Sequence, residues 1–187
     1  MAIRVYIDQG HNPANPNTGA ERYGLKEQDV TYRVGRALYT LLQNDPAFTA
    51  RLSRPTPETQ LGTSNATSLS TRTNQANAWG ADLFLSIHTN ASLDTSAVGS
   101  ESLVYRIPST AAEIARVIQT ELTALNGFRN RGVIARPGLW VLRKTRMPAV
   151  LSEIGFLSNP AEAAKMNEDP ELFAEGLYRG IVAYYGV

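Results

Sequence analysis

The sequence contains no cysteine among its 187 residues. Disulfide bonds and thiolate metal sites are therefore excluded, while the redox compartment is left open because a chain without cysteine tolerates either setting. Histidine is nearly absent too, with two residues in the chain. Any site in this chain that uses imidazole chemistry must therefore involve His11, His88 or both.

Long hydrophobic runs and a charge excess are also lacking. No segment approaches the roughly 20 apolar residues of a membrane-spanning helix. The formal net charge is +1, so the chain lacks the electrostatic footprint of a nucleic-acid-binding protein. We expect neither membrane insertion nor nucleic-acid binding. No signal peptide is visible, because Met1-Ala2 leads directly into a strand-like sequence; we expect a protein made without one, or a trimmed chain.

Strand-like and helix-like segments alternate along the whole chain. Hydrophobic residues make up 43% of it, as in globular proteins, and its length suits one domain. Apolar runs predict strands at residues 3–8, 48–52, 83–87, 101–107, 139–142 and 149–154. Helical spacing and capping residues predict helices at 27–42 and 71–79, then from Thr110 (in a capping box with Glu113), Pro160 and Pro170, with a surface loop at 55–71. The prediction is one α/β domain, residues 1–187, whose mostly parallel sheet is flanked by helices on both faces.

Both histidines stand where a predicted buried strand ends. His11 opens a loop of turn residues and His88 closes a nearly continuous apolar run. Sites in parallel α/β sheets are built at the carboxyl ends of strands. Glu27 opens the first predicted helix, and Glu21 is the competing carboxylate. The set predicts a His/Glu/His zinc site with a fourth position for water; the ordinary alternatives are a satisfied buried histidine and a helix-terminal carboxylate.

Further polar residues lie near the same strand ends. Glu153 follows apolar residues 149–151; it is either a solvent-facing strand end or a general base whose pKa is raised by burial. Asp8 is either a partner that orients a ligand imidazole or a structural hydrogen-bonding group. Asn90 is either a substrate contact or an ordinary turn residue. The residues alone leave these alternatives open.

Four segments together carry a resemblance to a known family. They are Asp8-Gln9-Gly10-His11, Gly24-Leu25-Lys26-Glu27, and the longer segments 81–90 and 148–159. The chain resembles the zinc-dependent N-acetylmuramoyl-L-alanine amidases of bacterial cell walls, in particular the type 3 family with its sporulation, cell-separation and phage lytic enzymes. The likeness extends to segments 130–133 and 139–143, and it covers nearly the whole chain in order. One departure is loop 12–18, which is rich in Asn and Pro where the family usually has a Gly-rich acidic loop.

The resemblance implies a cofactor, a substrate and a set of roles. One Zn²⁺ per chain would be held by His11, Glu27 and His88, with Glu153 as the catalytic carboxylate, in a domain with a twisted six-stranded sheet. The implied substrate is peptidoglycan, cut at the amide between N-acetylmuramic acid and L-alanine. The implied place of action is the cell wall, or an extracellular or periplasmic site. We also expect a wall-targeting domain or partner outside this chain.

A basic stretch covers residues 129–146, which contain six Arg or Lys and no acidic residue. Stem peptides and muramic polymers carry carboxylates, which arginine is suited to bind. We therefore expect Arg131 and Arg143, together with Asn90, to contact substrate. A solvated basic face is the alternative.

Two other functions compete with hydrolysis of the muramoyl amide. One is a related domain that binds peptidoglycan without cutting it. The presence of the three implied ligands and of the catalytic carboxylate Glu153 counts against this interpretation. The other is a zinc peptidase or deacetylase of different specificity, although the His-Glu-x-x-His motif of the commonest zinc peptidases does not occur. The metal content and the bond that is cut distinguish the three.

Overall fold

Strands and helices alternate in the computed structural model, which describes all 187 residues. The strands are β1 (Ile3–Gln9), β2 (Glu21–Arg22), β3 (Leu25–Lys26), β4 (Phe48–Leu52), β5 (Leu83–Asn90), β6 (Ser100–Val104), β7 (Asn130–Ala135) and β8 (Ala149–Phe156). The helices are α1 (Glu27–Asn44), α2 (Asn65–Trp79), α3 (Thr110–Asn126), α4 (Trp140–Lys144), α5 (Pro160–Glu168) and α6 (Pro170–Tyr185). None of these helices has the length and apolar character that crossing a bilayer requires.

Six of the strands form one sheet, in the order β4-β1-β5-β8-β6-β7. The first four strands of this order are parallel to one another, whereas β6 runs antiparallel to β8 and β7 runs parallel to β6. The short strands β2 and β3 form a separate antiparallel pair. The predicted single α/β domain with a mostly parallel, six-stranded sheet is confirmed.

Helices cover both faces of the sheet because successive strand side chains point to opposite sides. On one face, Val5 and Ile7 of β1 belong to a cluster of 26 buried residues that includes residues of α1, α3, α5 and α6. On the other face, Tyr6 packs in a smaller cluster with Ala76 of α2 and Val141 of α4. The predicted flanking of both faces is therefore confirmed as well.

One predicted strand is wrong. Residues 139–142 lie largely in helix α4, and the sixth sheet strand is β7, which the apolar pattern did not predict. A short apolar run does not separate a buried helix turn from a buried strand, and Val141 and Leu142 are both buried. The strand β7 lies at the sheet edge and none of its residues is fully buried, so its sequence lacks a continuous apolar run.

One helix start and one helix cap also differ from the prediction. Helix α2 begins at Asn65, inside the predicted loop 55–71, with Ser64 and Thr67 forming its capping box. Its buried face consists of Ser68, Arg72, Thr73 and Ala76. The sequence therefore lacks the regularly spaced apolar residues that would predict a helix here. Helix α3 is capped by Ser109, whose hydroxyl accepts a hydrogen bond from the Ala112 amide, rather than by Thr110.

Candidate metal centre

The two histidines and Glu27 meet at the edge of the sheet where the parallel strands end. Gln9 pairs with Ile87 in the register of β1 and β5, which brings His11, two residues after Gln9, close to His88. Helix α1 begins at Glu27 on the same edge. Three separate elements of the fold therefore supply one side chain each to a common point.

Glu27 lies between the two imidazoles. Its Oε2 is 3.2 Å from Nε2 of His11, and its Oε1 is 3.1 Å from Nδ1 of His88. The three side chains form a group of candidate ligand atoms that all lie within 4.8 Å of one another. Glu21, the competing carboxylate, is exposed in β2 and lies outside this group.

The Glu27 carboxylate is buried and ionised. Its Oε2 accepts a hydrogen bond from the Ala20 amide and its Oε1 accepts one from the Thr89 amide, both at 3.0 Å. Burial alone would raise the pKa of Glu27, but hydrogen bonds and charge from His11 and His88 outweigh it and hold that pKa well below its usual range. The three side chains therefore offer one carboxylate and two imidazole nitrogens, which is a donor set that Zn²⁺ accepts.

The group has the dimensions of a zinc site. Zinc lies about 2.0–2.2 Å from nitrogen and oxygen ligands, so tetrahedral ligand atoms are about 3.4 Å apart. The distances from Glu27 to the two histidines, 3.1 and 3.2 Å, are close to this value, and the whole group lies within 4.8 Å. Two glycines make room for the ligands. A Cβ on Gly10 would come within 2.6 Å of the His88 ring, and a Cβ on Gly19 within 2.7 Å of Glu27. The donor chemistry and the spacing both fit zinc.

Glu153 lies beside this group on the neighbouring strand. It pairs with His88 in the register of β5 and β8, and its Oε2 is buried without a hydrogen-bond partner. Burial, together with the nearby carboxylates of Glu27 and Glu101, raises the pKa of Glu153 to about 8. The structure therefore places a carboxyl with a raised pKa on the strand next to His88.

Glu101 is a further site residue, and the sequence analysis gave it no role. It pairs with Glu153 in the antiparallel register of β6 and β8 and is 8% exposed. Its Oε1 accepts a hydrogen bond from Asn90 at 3.1 Å, and its Oε2 accepts one from Arg131 at 2.9 Å. The only sequence signal was an acidic residue at the start of a strand candidate. The structure thus links Asn90 and Arg131, through Glu101, to the strand next to the candidate ligands.

The Asp8 carboxylate binds the buried Arg72 and does not contact an imidazole. Its carboxylate oxygens accept hydrogen bonds from Arg72 at 2.7 Å and from Ser86 at 2.8 Å. Burial disfavours the charged Asp8, but the Arg72 guanidinium prevails and keeps the pKa of Asp8 below its usual range. The same guanidinium donates to the carbonyl of His11 at 2.6 Å and to Asn12 at 3.1 Å. It therefore holds the loop that presents His11, whose φ of 67° is unfavourable for a side-chain-bearing residue.

Replacing Arg72 by Met should lower the free energy of unfolding by about 3–5 kcal/mol, because the Asp8 charge would stay buried without its partner. Urea denaturation of the metal-free protein measures this change. The matched control is Arg116→Met on the exposed side of α3, which should change stability by less than about 0.5 kcal/mol. Equal stability of the Arg72 variant and the wild type would show that the ion pair does not hold this loop.

Arg143 lies away from the candidate metal centre. It is on α4 and lines a groove with Met147, Pro148 and Ala149 at the start of β8. Glu153 is four residues further along this strand, about 13 Å away. The structure does not bring Arg143 to the ligand cluster, and its contact with substrate stays a prediction.

Sequence comparison identifies related proteins. The family model described as N-acetylmuramoyl-L-alanine amidase (Amidase_3) matches residues 5–183. The chain is 35% identical over 180 residues to N-acetylmuramoyl-L-alanine amidase CwlM of Bacillus licheniformis, and 35% identical over 181 residues to the sporulation-specific N-acetylmuramoyl-L-alanine amidase of Bacillus subtilis (strain 168). Both alignments cover 95% of this chain but 65% of the relative. The chain thus spans just under two thirds of these curated relatives.

Structural comparison agrees with the sequence. The crystal structure of an N-acetylmuramoyl-L-alanine amidase from Clostridium difficile 630 matches with a TM-score of 0.87 at 30% identity, over 99% of this chain and 97% of that one. The resemblance of the four sequence segments is therefore confirmed over the whole fold. This chain belongs to the N-acetylmuramoyl-L-alanine amidase family Amidase_3.

Proposed function

We propose that this chain, residues 1–187, is a catalytic domain that hydrolyses the amide between the lactyl group of N-acetylmuramic acid and the L-alanine of the peptidoglycan stem peptide. The observation that carries the proposal is the His11, Glu27 and His88 group together with the partly buried Glu153, which pairs with His88 on the neighbouring strand. Family membership supports the same reaction. The proposed cofactor is one zinc ion.

His11, Glu27 and His88 would hold the zinc and leave one tetrahedral position for water, as catalytic zinc sites do. Zinc, when bound, lowers the pKa of a water molecule towards about 7 and polarises the carbonyl under attack. The protein's part is to fix the ligands in place. Glu27 is anchored by the amides of Ala20 and Thr89, and the loop of His11 is anchored by Arg72.

Glu153 is proposed to move the proton in both halves of the reaction. It takes a proton from the attacking water as the new C–O bond forms, and delivers it to the amide nitrogen as the C–N bond breaks. L-Alanine then leaves as a neutral amine. An unprotonated amine anion would be a poor leaving group, so a carboxyl outside the ligand set is needed.

The site of action follows from the substrate. Peptidoglycan lies outside the cytoplasmic membrane, so we place the activity at the cell wall, in an extracellular or periplasmic setting. We propose that a wall-binding domain or partner outside this chain concentrates the enzyme there. The route by which the protein reaches the wall stays a prediction.

Digestion of purified muropeptides tests the proposal. The zinc-loaded protein should release free L-alanine amino termini and muramic acid with a free lactyl carboxyl, identified by amino-terminal labelling and mass spectrometry. A chelator should abolish the reaction, and zinc should restore it.

Other outcomes of the same digestion would overturn the proposal. New amino termini on a different residue would mark a peptidase, and released acetate would mark a deacetylase. Tight binding with no bond cut would mark a binding module. Lysis that persists after complete removal of metal would exclude zinc as the cofactor.

A further inference from the structure

Four chemically active residues form a row across four neighbouring strands. His88 of β5 pairs with Glu153 of β8, and Glu153 pairs with Glu101 of β6. Arg131 of β7 lies beside Glu101, at an irregularity where the register of β6 and β7 shifts. Neighbouring strands are about 4.8 Å apart, so the row is about 14 Å long. It leads from the candidate metal ligands to the edge of the sheet.

The Arg131 guanidinium is fixed from several sides and keeps part of its hydrogen-bonding capacity. Its Nε donates to Glu101 at 2.9 Å and its Nη1 donates to the carbonyl of Val98 at 3.3 Å. The group also lies over the ring of Phe156, with Cζ 5.2 Å from the ring centroid. Its Nη2 makes no hydrogen bond within the protein, and the side chain is 36% exposed. Such a group is oriented but able to bind an anion.

Burying the Glu101 carboxylate costs free energy, and packing alone does not explain why an acidic residue stands here. Its carboxylate is almost fully buried and lies opposite Glu153 in the sheet register. Two neighbouring acids repel each other when ionised. Both oxygens of Glu101 are nevertheless engaged, by Asn90 and by Arg131. Local conflicts of this kind in a stable fold are expected at functional sites.

We propose that Arg131 binds a carboxylate on the stem-peptide residue that follows L-alanine, and that Glu101 is the positioning residue for its guanidinium. The inference rests on the proposed function, because it takes the scissile amide to lie at Glu153. An extended peptide covers about 7 Å from that amide nitrogen to the α-carboxyl of the next residue. Arg131 lies two strands beyond Glu153, about 10 Å away, and its side chain leans back towards Glu101, so the lengths agree.

A matched pair of substrates tests the subsite. The pair is muramoyl-L-alanyl-D-glutamate, blocked as a γ-amide, with either a free α-carboxylate or an α-carboxamide. The wild-type protein should favour the carboxylate by about tenfold or more in kcat/KM, as expected for one charge-assisted hydrogen-bond pair. Arg131→Gln should bring the ratio close to one. Arg116→Gln, far from the row on exposed α3, should leave the ratio unchanged.

Two Glu101 variants separate positioning from general stability. Glu101→Ala removes the acceptor for Arg131 and should reduce the substrate ratio severalfold, mainly through KM of the carboxylate form. Glu101→Gln keeps an acceptor oxygen and should restore most of the ratio. Equal ratios in the wild type and Glu101→Ala would overturn the positioning role.

Binding measurements separate this inference from the proposed function. Calorimetry with the zinc-loaded Glu153→Gln protein gives the Kd of both substrates without turnover. A carboxylate preference with no cleavage by the wild type would reject the amidase reaction and retain the subsite. Cleavage at the muramoyl amide with no preference in kcat/KM or Kd, or a preference that survives Arg131→Gln, would reject the subsite.

Discussion

Glu153→Gln should reduce kcat on muropeptides by about 10²–10⁴-fold while the zinc content stays at one ion per chain. Glutamine has nearly the same shape but neither accepts the water proton nor delivers one to the leaving nitrogen. The ligands His11, Glu27 and His88 are separate from this side chain, so metal binding should be retained. Turnover by amino-terminal labelling and zinc by elemental analysis provide the two measurements.

The matched control for this substitution is Glu113→Gln, an exposed carboxylate in the first turn of α3, which should keep wild-type turnover. A Glu153→Gln protein with wild-type kcat would remove Glu153 from the reaction. A variant that lost its zinc would instead place Glu153 among the metal ligands.

The same variant has a second expected effect, on the stability of the metal-free protein. Burial and neighbouring carboxylates raise the pKa of Glu153 from 4.5 to about 8. A carboxyl with a raised pKa in the folded state stabilises the fold below pH 4.5, and this contribution is lost as the pH rises through about 8. Glu153→Gln should therefore be more stable than the wild type by about 3–5 kcal/mol at pH 9, and equally stable near pH 4. Urea denaturation at the two pH values measures this difference.

Loss of a candidate ligand should have the other large effect. His88→Ala should weaken zinc binding by more than about 100-fold. Removing a residue that only hydrogen-bonds to a zinc ligand already lowers metal affinity about 10–100-fold, and losing a ligand itself should cost more. Competition with a chromophoric chelator gives the Kd. The control is Glu21→Gln, because Glu21 is an acidic residue near Glu27 in sequence but outside the cluster. A His88→Ala protein with wild-type zinc affinity would remove His88 from the ligand set.

Zinc should also stabilise the wild type much more than the His88 variant. A ligand that binds only the folded state adds about 4 kcal/mol at a concentration 1,000 times its Kd. Thermal denaturation with and without zinc should therefore show a large upward shift of Tm for the wild type and at most about a third of that shift for His88→Ala. A similar shift in both proteins would indicate that zinc binds elsewhere.

The sheet was predictable from sequence where the strands are buried on both faces. Strands β1, β5 and β8 correspond to mostly apolar runs in the sequence. Gly and Pro mark the ends of most helices. The errors fall where this signal is weak or ambiguous. Helix α2 buries serine, threonine and arginine, and β7 is half exposed at the edge. The five-residue α4 has two adjacent buried apolar residues that suit either kind of element.

The candidate site was predictable only in part, for a related reason. His11 and His88 stand out because each closes a strand predicted from the sequence, and the family resemblance singled out Glu27 and Glu153. Glu101 and Arg72 gave no comparable signal. Their importance depends on which strand or loop packs beside them, as in the pairing of Glu101 with Glu153 and of Arg72 with Asp8. Such pairings join residues 52 and 64 positions apart in sequence, and only the folded chain reveals them.

The reversal of chain direction at β6 divides the site edge of the sheet into two parts. On one side, parallel strands end and deliver the side chains that we assign to chemistry. On the other, β6 and β7 begin, and the preceding connections form the rim beside Arg131. Insertions or replacements in segment 91–99 could reshape that rim without shifting β1 or β5. Evolution could therefore diversify the choice of stem peptide while leaving the hydrolytic centre intact.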